Sequence, residues 1–427
     1  MKKQVLTFFL LFGTYLFSFS QDIDKVINAG EAERIENVLA SDSMQGRKTF
    51  TPSIDKAADF ISAEFKKAGL QYFGDLQSYR QPFAMFQSET ISASGKVNES
   101  NIDSNNIIAI TTEEDLNVDD KSGYTTVVID STTNLLRSAY KLITDHKKYL
   151  VLVSTINEKN FSRLKFLNRP SFDHQPSVVF ILTDEKPATW HFEIKNKITS
   201  SSLANVVGVL PGKSRKNEYV IFSAHYDHLG IGKPDANGDS IYNGANDDAA
   251  GTTAVIILAK YFSELNNNER TLIFVTFTAE EIGGFGSQYF SKQIDPERAV
   301  AMFNIEMIGT ESKWGENSAY ITGYEKSDFG KILQRNLEGS SFHFEPDPYL
   351  KQNLFYRSDN ATLAALGVPA HTISTSKMDN EPNYHKQSDE IATLDMKNMA
   401  QIIKSIAISS KTIVDGTETP SRVERKD

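Results

Sequence analysis

The chain has 427 residues, a formal net charge of -10 and no cysteine. Its length exceeds one ordinary domain and leaves room for a sizeable core. The acidic balance argues against nucleic acid as a partner, and the absence of any thiol excludes cysteine catalysis, disulfides and lipid attachment at a lipobox.

Residues 1–20 open with Lys2-Lys3, continue through an apolar core and end in Ser18-Phe19-Ser20. That is the pattern of a secretory signal peptide. The apolar stretch is short of the roughly 20 residues that a membrane helix needs, so no stable span is expected after cleavage. Export to the periplasm or the extracellular fraction fits a chain without cysteine. Ser53 followed by Ile54, Ala57, Ala58, Ile61 and Phe65 at helical spacing reads as a capped amphipathic helix with Gly69 as its stop. From Gln87 to Ser200 polar runs separate short β-like segments at 106–111, 125–129, 149–154 and 177–182, with a helix over 135–148. Residues 204–211 (ANVVGVLP) then lead into the most informative part of the chain.

That part runs from Tyr219 to Gly286. Two apolar runs, Val220–His225 and Leu272–Thr278, read as buried parallel strands that end in residues of metal-ligand type. His225 and Asp227 are two apart, hence on one face of an extended chain, where an aspartate can accept the other ring N–H of a metal-bound histidine. Asp247 and Asp248 open an amphipathic helix; one can serve as its N-cap, which leaves the other for chemistry. Glu280 and Glu281 place two carboxylates together at a strand end. This is unfavourable unless a cation or a proton intervenes, and a pair of metals would use one as ligand and leave the other as base. Ligands in open α/β sheets collect at such strand ends.

The ordered motifs HYD (225–227), GANDDAAG (244–251), TAEEIGGFGS (278–287), FNIEMIG (303–309) and NYHKQSDE (383–390) resemble the co-catalytic two-zinc exopeptidases of the MH clan, the family of bacterial leucyl aminopeptidase and plasma glutamate carboxypeptidase. The resemblance covers roughly residues 205–408 and, more weakly, 45–83, where MQGR (44–47) resembles the start of the family's catalytic domain. It implies an α/β three-layer sandwich, with a central mixed, mostly parallel sheet flanked by helices, and a small inserted domain. It implies two Zn2+ per chain: His225 and Glu306 on one, Glu281 and His385 on the other, and Asp247 bridging. Glu280 would be the general base and Asp227 the partner of His225, and the Asp247–Asp248 peptide bond would be cis. The family usually has Asp at the position of Glu306, a longer carboxylate that still offers oxygen to zinc. Tyr384 and Tyr356 are candidates for stabilising an oxyanion. The expected organisation is a signal peptide (1–20), the N-terminal part of the catalytic domain (21–86), an insertion that is either protease-associated-like or a family-specific one shaping the cleft mouth (87–200), the catalytic domain (201–413) and a polar, disordered tail (414–427). A final helix over about 396–412 would close the catalytic domain.

The other histidines read as structural. His146, His174, His191 and His343 lie in polar surroundings and are expected to be solvated or hydrogen-bonded. His371 sits inside an apolar strand as a core histidine. His228, three residues beyond His225, is expected to point away from it into a structural hydrogen bond. No G-x-S-x-G elbow and no H-E-x-x-H helix is present. The glycines at 283, 284 and 286 follow acidic residues, which disfavours phosphate and suggests a tight turn that lets a helix pack. The expected activity is release of N-terminal residues from peptides with a free amine. Carboxypeptidase or dipeptidase specificity, a one-zinc glutaminyl cyclase on the same fold, and a non-catalytic binding protein are the alternatives.

Overall fold

A computed structural model describes residues 23–172 and 175–426. The expected signal peptide and His174 lie outside the described residues. The chain divides into two compact units, residues 83–203 and the remainder on either side of it.

The larger unit begins with helices α1 (Ala29–Leu39) and α2 (Pro52–Lys67). Its sheet is built from β1 (the last residues of Trp190–Leu210), β2 (Arg215–His225), β3 (Arg270–Phe277), β4 (Ala299–Ile305), β5 (Ser318–Ile321), β6 (His343–Pro346) and β7 (Ala370–Ser374). Helices α3 (Ala250–Leu265), α4 (Phe285–Gln293), α5 (Phe329–Asn336), α6 (Asn360–Ala365) and α7 (Met396–Ser409) belong to it, followed by a short helix, Lys411–Val414. The strand order is β6-β5-β7-β4-β2-β3-β1. β3, β2, β4 and β7 are mutually parallel, whereas β1 and β5 run antiparallel to their neighbours β3 and β7.

Successive residues of a strand face opposite ways, and here both faces are buried, which explains the unbroken apolar runs of β2, β3 and β4. Val220, Phe222 and Ala224 join a core shared with α1, α2, α3, α5 and α7. Ile221, Ile273, Val275 and Met302 join a second core with Phe290 of α4 and Leu363 of α6. The result is the expected three-layer sandwich. Phe222 stacks on its register partners Phe274 and Phe303, with centroids 5.5 and 4.9 Å away. Those rings hold the three central strands level, so their carboxyl ends finish side by side.

Two details differ from the sequence reading. α2 begins at Pro52, whose fixed φ suits a first helical position, so Ser53 lies inside the helix, buried, without capping it. The segment after Val414 is held against the larger unit. Arg270, fully buried, donates to the carbonyls of Ile413 (2.8 Å) and Glu418 (2.6 Å) and to the Thr419 hydroxyl, and pairs with Glu218 at 2.6 Å. Arg422 donates to Ala299 O at 2.8 Å, and the buried side chain of Val423 enters the second core. A buried guanidinium needs acceptors, and this polar segment supplies them.

The smaller unit contains a sheet in the order Ile107–Ile110, Val178–Leu182, Tyr149–Val153, Thr125–Ile129. The first pair is antiparallel and the others parallel. Leu135 and Ala139 of the helix Leu135–Thr144 pack into one of its two apolar clusters, and Trp190, Phe192 and Ile194 pack into the other.

Back in the larger unit, Arg47 is fully buried and donates to four carbonyls: Tyr226 (2.8 Å), Leu39 (2.7 Å), Asn243 (2.6 Å) and Gly244 (2.9 Å). Arg47→Met leaves those acceptors dry, and urea denaturation should show a loss of at least about 3 kcal/mol. Nearby Glu36 is buried, accepts from Thr253 Oγ1 at 2.8 Å, and is pushed by burial from 4.5 to about 8. The fold therefore favours its protonated form, a contribution present in full below pH 4.5 and lost as pH rises to about 8. Unfolding free energies of wild type and Glu36→Gln across that window should differ in slope by up to about 1.4 kcal/mol per pH unit, with the wild type falling more steeply.

Candidate active site

The site lies where the parallel strands end. β2 ends on His225, β3 runs out into Ala279, Glu280 and Glu281, and β4 runs out into Glu306. Asp247 precedes α3, and His385 comes from a loop beyond β7. Ala279, Met307 and His385 have φ of 61°, 52° and 55°. Non-glycine residues are held in this region only where surrounding structure fixes them, and such positions gather at functional sites.

Asp247 organises the donors. Its Oδ1 lies 3.2 Å from His225 Nε2, which is 3.4 Å from Glu306 Oε1. Its Oδ2 lies 3.3 Å from His385 Nε2, which is 3.2 Å from Glu281 Oε2. Each oxygen of one carboxylate thus faces its own imidazole and carboxylate. Burial opposes ionisation of Asp247, yet the imidazoles of His228, His225 and His385 hold it far below the usual carboxylate range.

Three other buried carboxylates hold the main chain in place. Asp248, joined to Asp247 by a cis peptide bond, accepts from the N–H groups of Gly251 (2.9 Å), Met307 (3.0 Å) and His225 (3.3 Å). Asp248 therefore ties three main-chain segments together without being the N-cap of α3, a place that Ala249 takes, and Asp247 faces the site. Asp389 accepts from Asn246 N (2.8 Å) and Asp247 N (3.0 Å). Asp227 accepts from the N–H groups of Glu280 (3.1 Å) and Glu281 (3.3 Å). The sequence reading gave the Asp227 carboxylate to His225. The structure places it 3.8 Å from Nδ1, while the main-chain carbonyl of Asp227 stands at 3.1 Å and is the nearer partner. The carboxylate is turned towards the Glu280-Glu281 backbone instead.

Glu306, the departure from the family pattern, has its second oxygen occupied. Ser358 Oγ donates to Oε2 at 2.8 Å, and Asn304 donates to that hydroxyl at 2.8 Å. This leaves Oε1 for His225. Neither Ser358 nor Asp389 was singled out from sequence. His228 also departs from expectation: its Nδ1 is 2.7 Å from Glu281 Oε1 and 3.9 Å from Asp247 Oδ2. Alternation along a strand stops where the strand stops, and β2 ends at His225. His371 matches expectation, buried with Nδ1 2.8 Å from Thr322 O and Nε2 2.7 Å from Ser327 Oγ.

Burial pushes Glu280 well above the usual carboxylate range, and Asp359, Glu306 and Glu281 add to the shift. Burial likewise pushes Asp359 to about 7. Burial alone would depress His225, but Glu306 and Asp247 outweigh it and raise the imidazole well above its ordinary value. A cleft opens over these groups, with Glu280, Tyr384, Met307, Leu354 and Met378 in its wall. Tyr384 stacks on His385, centroid to centroid 3.9 Å. Tyr356 is absent from this wall and instead lies under Lys426. Gly286 lets α4 start against β3, since a Cβ there would stand 2.3 Å from Thr278 O.

The donor set suits zinc: imidazole nitrogen and carboxylate oxygen only, in two groups, His225 with Asp247 and Glu306, and His228 with Asp247 and Glu281. Separations of 3.2–3.4 Å are about those of two ligands each roughly 2.0–2.1 Å from one tetrahedral ion. Asp247 Oδ2, Glu281 Oε1 and both ring nitrogens of His228 are buried without a hydrogen-bond partner. Buried polar atoms in that state call for an ion or water.

Fold and donors together define a zinc-aminopeptidase-like α/β sandwich. Residues 205–409 match the model of peptidase family M28. The chain is 25% identical over 211 residues to leucine aminopeptidase 1 of Chaetomium globosum, which covers 46% of this chain and 50% of that protein. It is 25% identical over 205 residues to aminopeptidase Y of Saccharomyces cerevisiae, covering 45% of this chain and 38% of that one. The matched region thus spans about half the length of the first of these relatives or less. In fold, it is similar to an aminopeptidase from Aneurinibacillus (TM-score 0.55, 17% identity, 95% of this chain and 97% of that one). It is likewise similar to a zinc aminopeptidase from Bacillus subtilis (TM-score 0.54, 18% identity, 94% and 98%).

Because Asp227 orients the Glu280-Glu281 backbone and not the His225 ring, Asp227→Asn should leave zinc content unchanged by elemental analysis. Its kcat on a peptide substrate should fall by about 10–100-fold.

Proposed function

We propose that this protein is an exported, metal-dependent exopeptidase that removes N-terminal residues from peptides and uses two zinc ions. The observation that carries the reading is the division of Asp247, whose two oxygens face two separate imidazole–carboxylate pairs. The family match and the aminopeptidase names among its relatives support it.

Bound zinc would polarise the scissile carbonyl and bring the pKa of water down towards about 7. His225, Glu306, Asp247, Glu281 and His385 would hold the two ions. Glu280 lines the cleft as a buried carboxylate, and burial raises its affinity for a proton above that of a solvated glutamate. It is therefore suited to take a proton from attacking water and to pass it to the leaving amine. Asp227 keeps Glu280 in place through its backbone N–H. Burial, followed by the Asp247 charge, raises the Tyr384 phenol, so it remains a proton donor at neutral pH and can face the developing oxyanion. Met307, Leu354 and Met378 give the cleft an apolar wall that suits an apolar terminal side chain. Residues 1–20 would direct export.

The test is Glu280→Gln beside wild type, with zinc analysis and chromogenic substrates bearing free or acetylated N-termini. Two zinc per chain in both proteins, a loss of kcat of about 10²–10⁴ in the variant, and turnover only of free amines are the expected results. Equal turnover of acetylated substrates would refute the aminopeptidase reading.

A further inference from the structure

Zinc binding through His225, Glu306, Glu281, His385 and Asp247 leaves His228 without a role. This histidine is fully buried, its Nδ1 and Nε2 both lack hydrogen-bond partners, and Asp247 Oδ2 and Glu281 Oε1 beside it share that condition. An imidazole sealed from water with both nitrogens unused is unfavourable unless something else engages it.

The geometry separates two explanations. Nδ1 stands 2.7 Å from Glu281 Oε1, yet both atoms are buried without a geometrically sound hydrogen bond. Donors that share an ion behave in this way, because each points at the ion and not at the other. Oδ2 of Asp247, 3.9 Å from the same Nδ1, is similarly without a hydrogen-bond partner. The ring is also wedged in place. A Cβ on Gly244 would meet its Cγ and Cδ2 at 2.5 Å, and the His228 N–H donates to Arg47 O at 3.3 Å. Gly244 has φ of 58°, so glycine there serves both the turn and the ring.

We infer that His228 Nδ1 is a fourth protein donor to the second metal, beside Asp247, Glu281 and His385. The inference rests on the two-metal reading and makes the two sites unequal. The first, with His225, Glu306 and Asp247, has three protein donors and an open position, the arrangement of catalytic zinc. The second has four and is closed by protein, as structural zinc sites are. The closed site should hold its ion more tightly and release it last, and substrate and water should approach from the first.

The experiment measures the two zinc dissociation constants of the full chain by competition with a chromogenic chelator, for wild type, His228→Ala and His228→Gln. The zinc-loaded wild-type crystal structure accompanies it. Thermal unfolding of the zinc-free proteins checks that the variants fold, and the bulkier Gln variant serves if Ala does not. Wild type should bind one zinc tightly and one more weakly, with Nδ1 about 2.0–2.1 Å from the tighter ion. Either variant should weaken the tighter constant by more than about tenfold and leave the weaker one within about threefold. Unchanged constants in a folded variant, or an Nδ1 hydrogen-bonded to Glu281 and away from the ion, would overturn the inference. A wild type that binds a single zinc would instead overturn the two-metal reading on which it stands.

Discussion

The arrangement of the site depends on one buried guanidinium. Arg47 ties together the end of α1, the chain just after His225 and the turn just before Asp247, with all four contacts made to main-chain carbonyls. Its planar fork matches acceptors fixed in direction, which an ammonium on a flexible stem would do poorly. The segments it joins are those that carry a histidine from β2 and the carboxylate that two donor pairs share. Displacing Arg47 therefore moves both halves of the site relative to each other, although it touches neither donor directly.

Around that anchor the buried acids divide by task. Asp248, Asp389 and Asp227 accept backbone N–H groups and fix where strand ends and turns lie. Asp247, Glu281 and Glu306 offer oxygens to imidazoles. Glu280 lines the cleft. Like charges at this density are tolerable because main-chain dipoles neutralise the first group and a cation can neutralise the second. The position of each acid relative to a strand end decides its group: Asp248 faces back into three N–H groups, while its neighbour Asp247 faces out.

Sequence made the strands, the paired acids and the donor histidines legible, because apolar runs that end abruptly in His, Asp or Glu have a local signature. What it hid was the support. Asp389 reaches Asp247 N across 142 residues, and Ser358 reaches Glu306 across 52. No spacing rule links residues that meet only through tertiary structure. Asp227 was placed near the right histidine but with the wrong atom, since the carboxylate and its own carbonyl lie within 1 Å of equal reach. His228 was misread because strand alternation was carried past the strand's end. The segment after Val414 was misread as disordered because its polar composition gave no sign that Arg270, on a central strand, would need it.

That last feature has a consequence for the end of the chain. Arg270 belongs to β3, in the middle of the sheet, yet two of its acceptors are Glu418 and Thr419, made almost 150 residues later. Without those residues Arg270 keeps its pair with Glu218 but loses two of the acceptors that satisfy the rest of its buried fork. The environment of Arg270 on β3 is therefore completed only by a segment far along the chain. Removing residues 415–426 would therefore strike at β3 and not at a dispensable end.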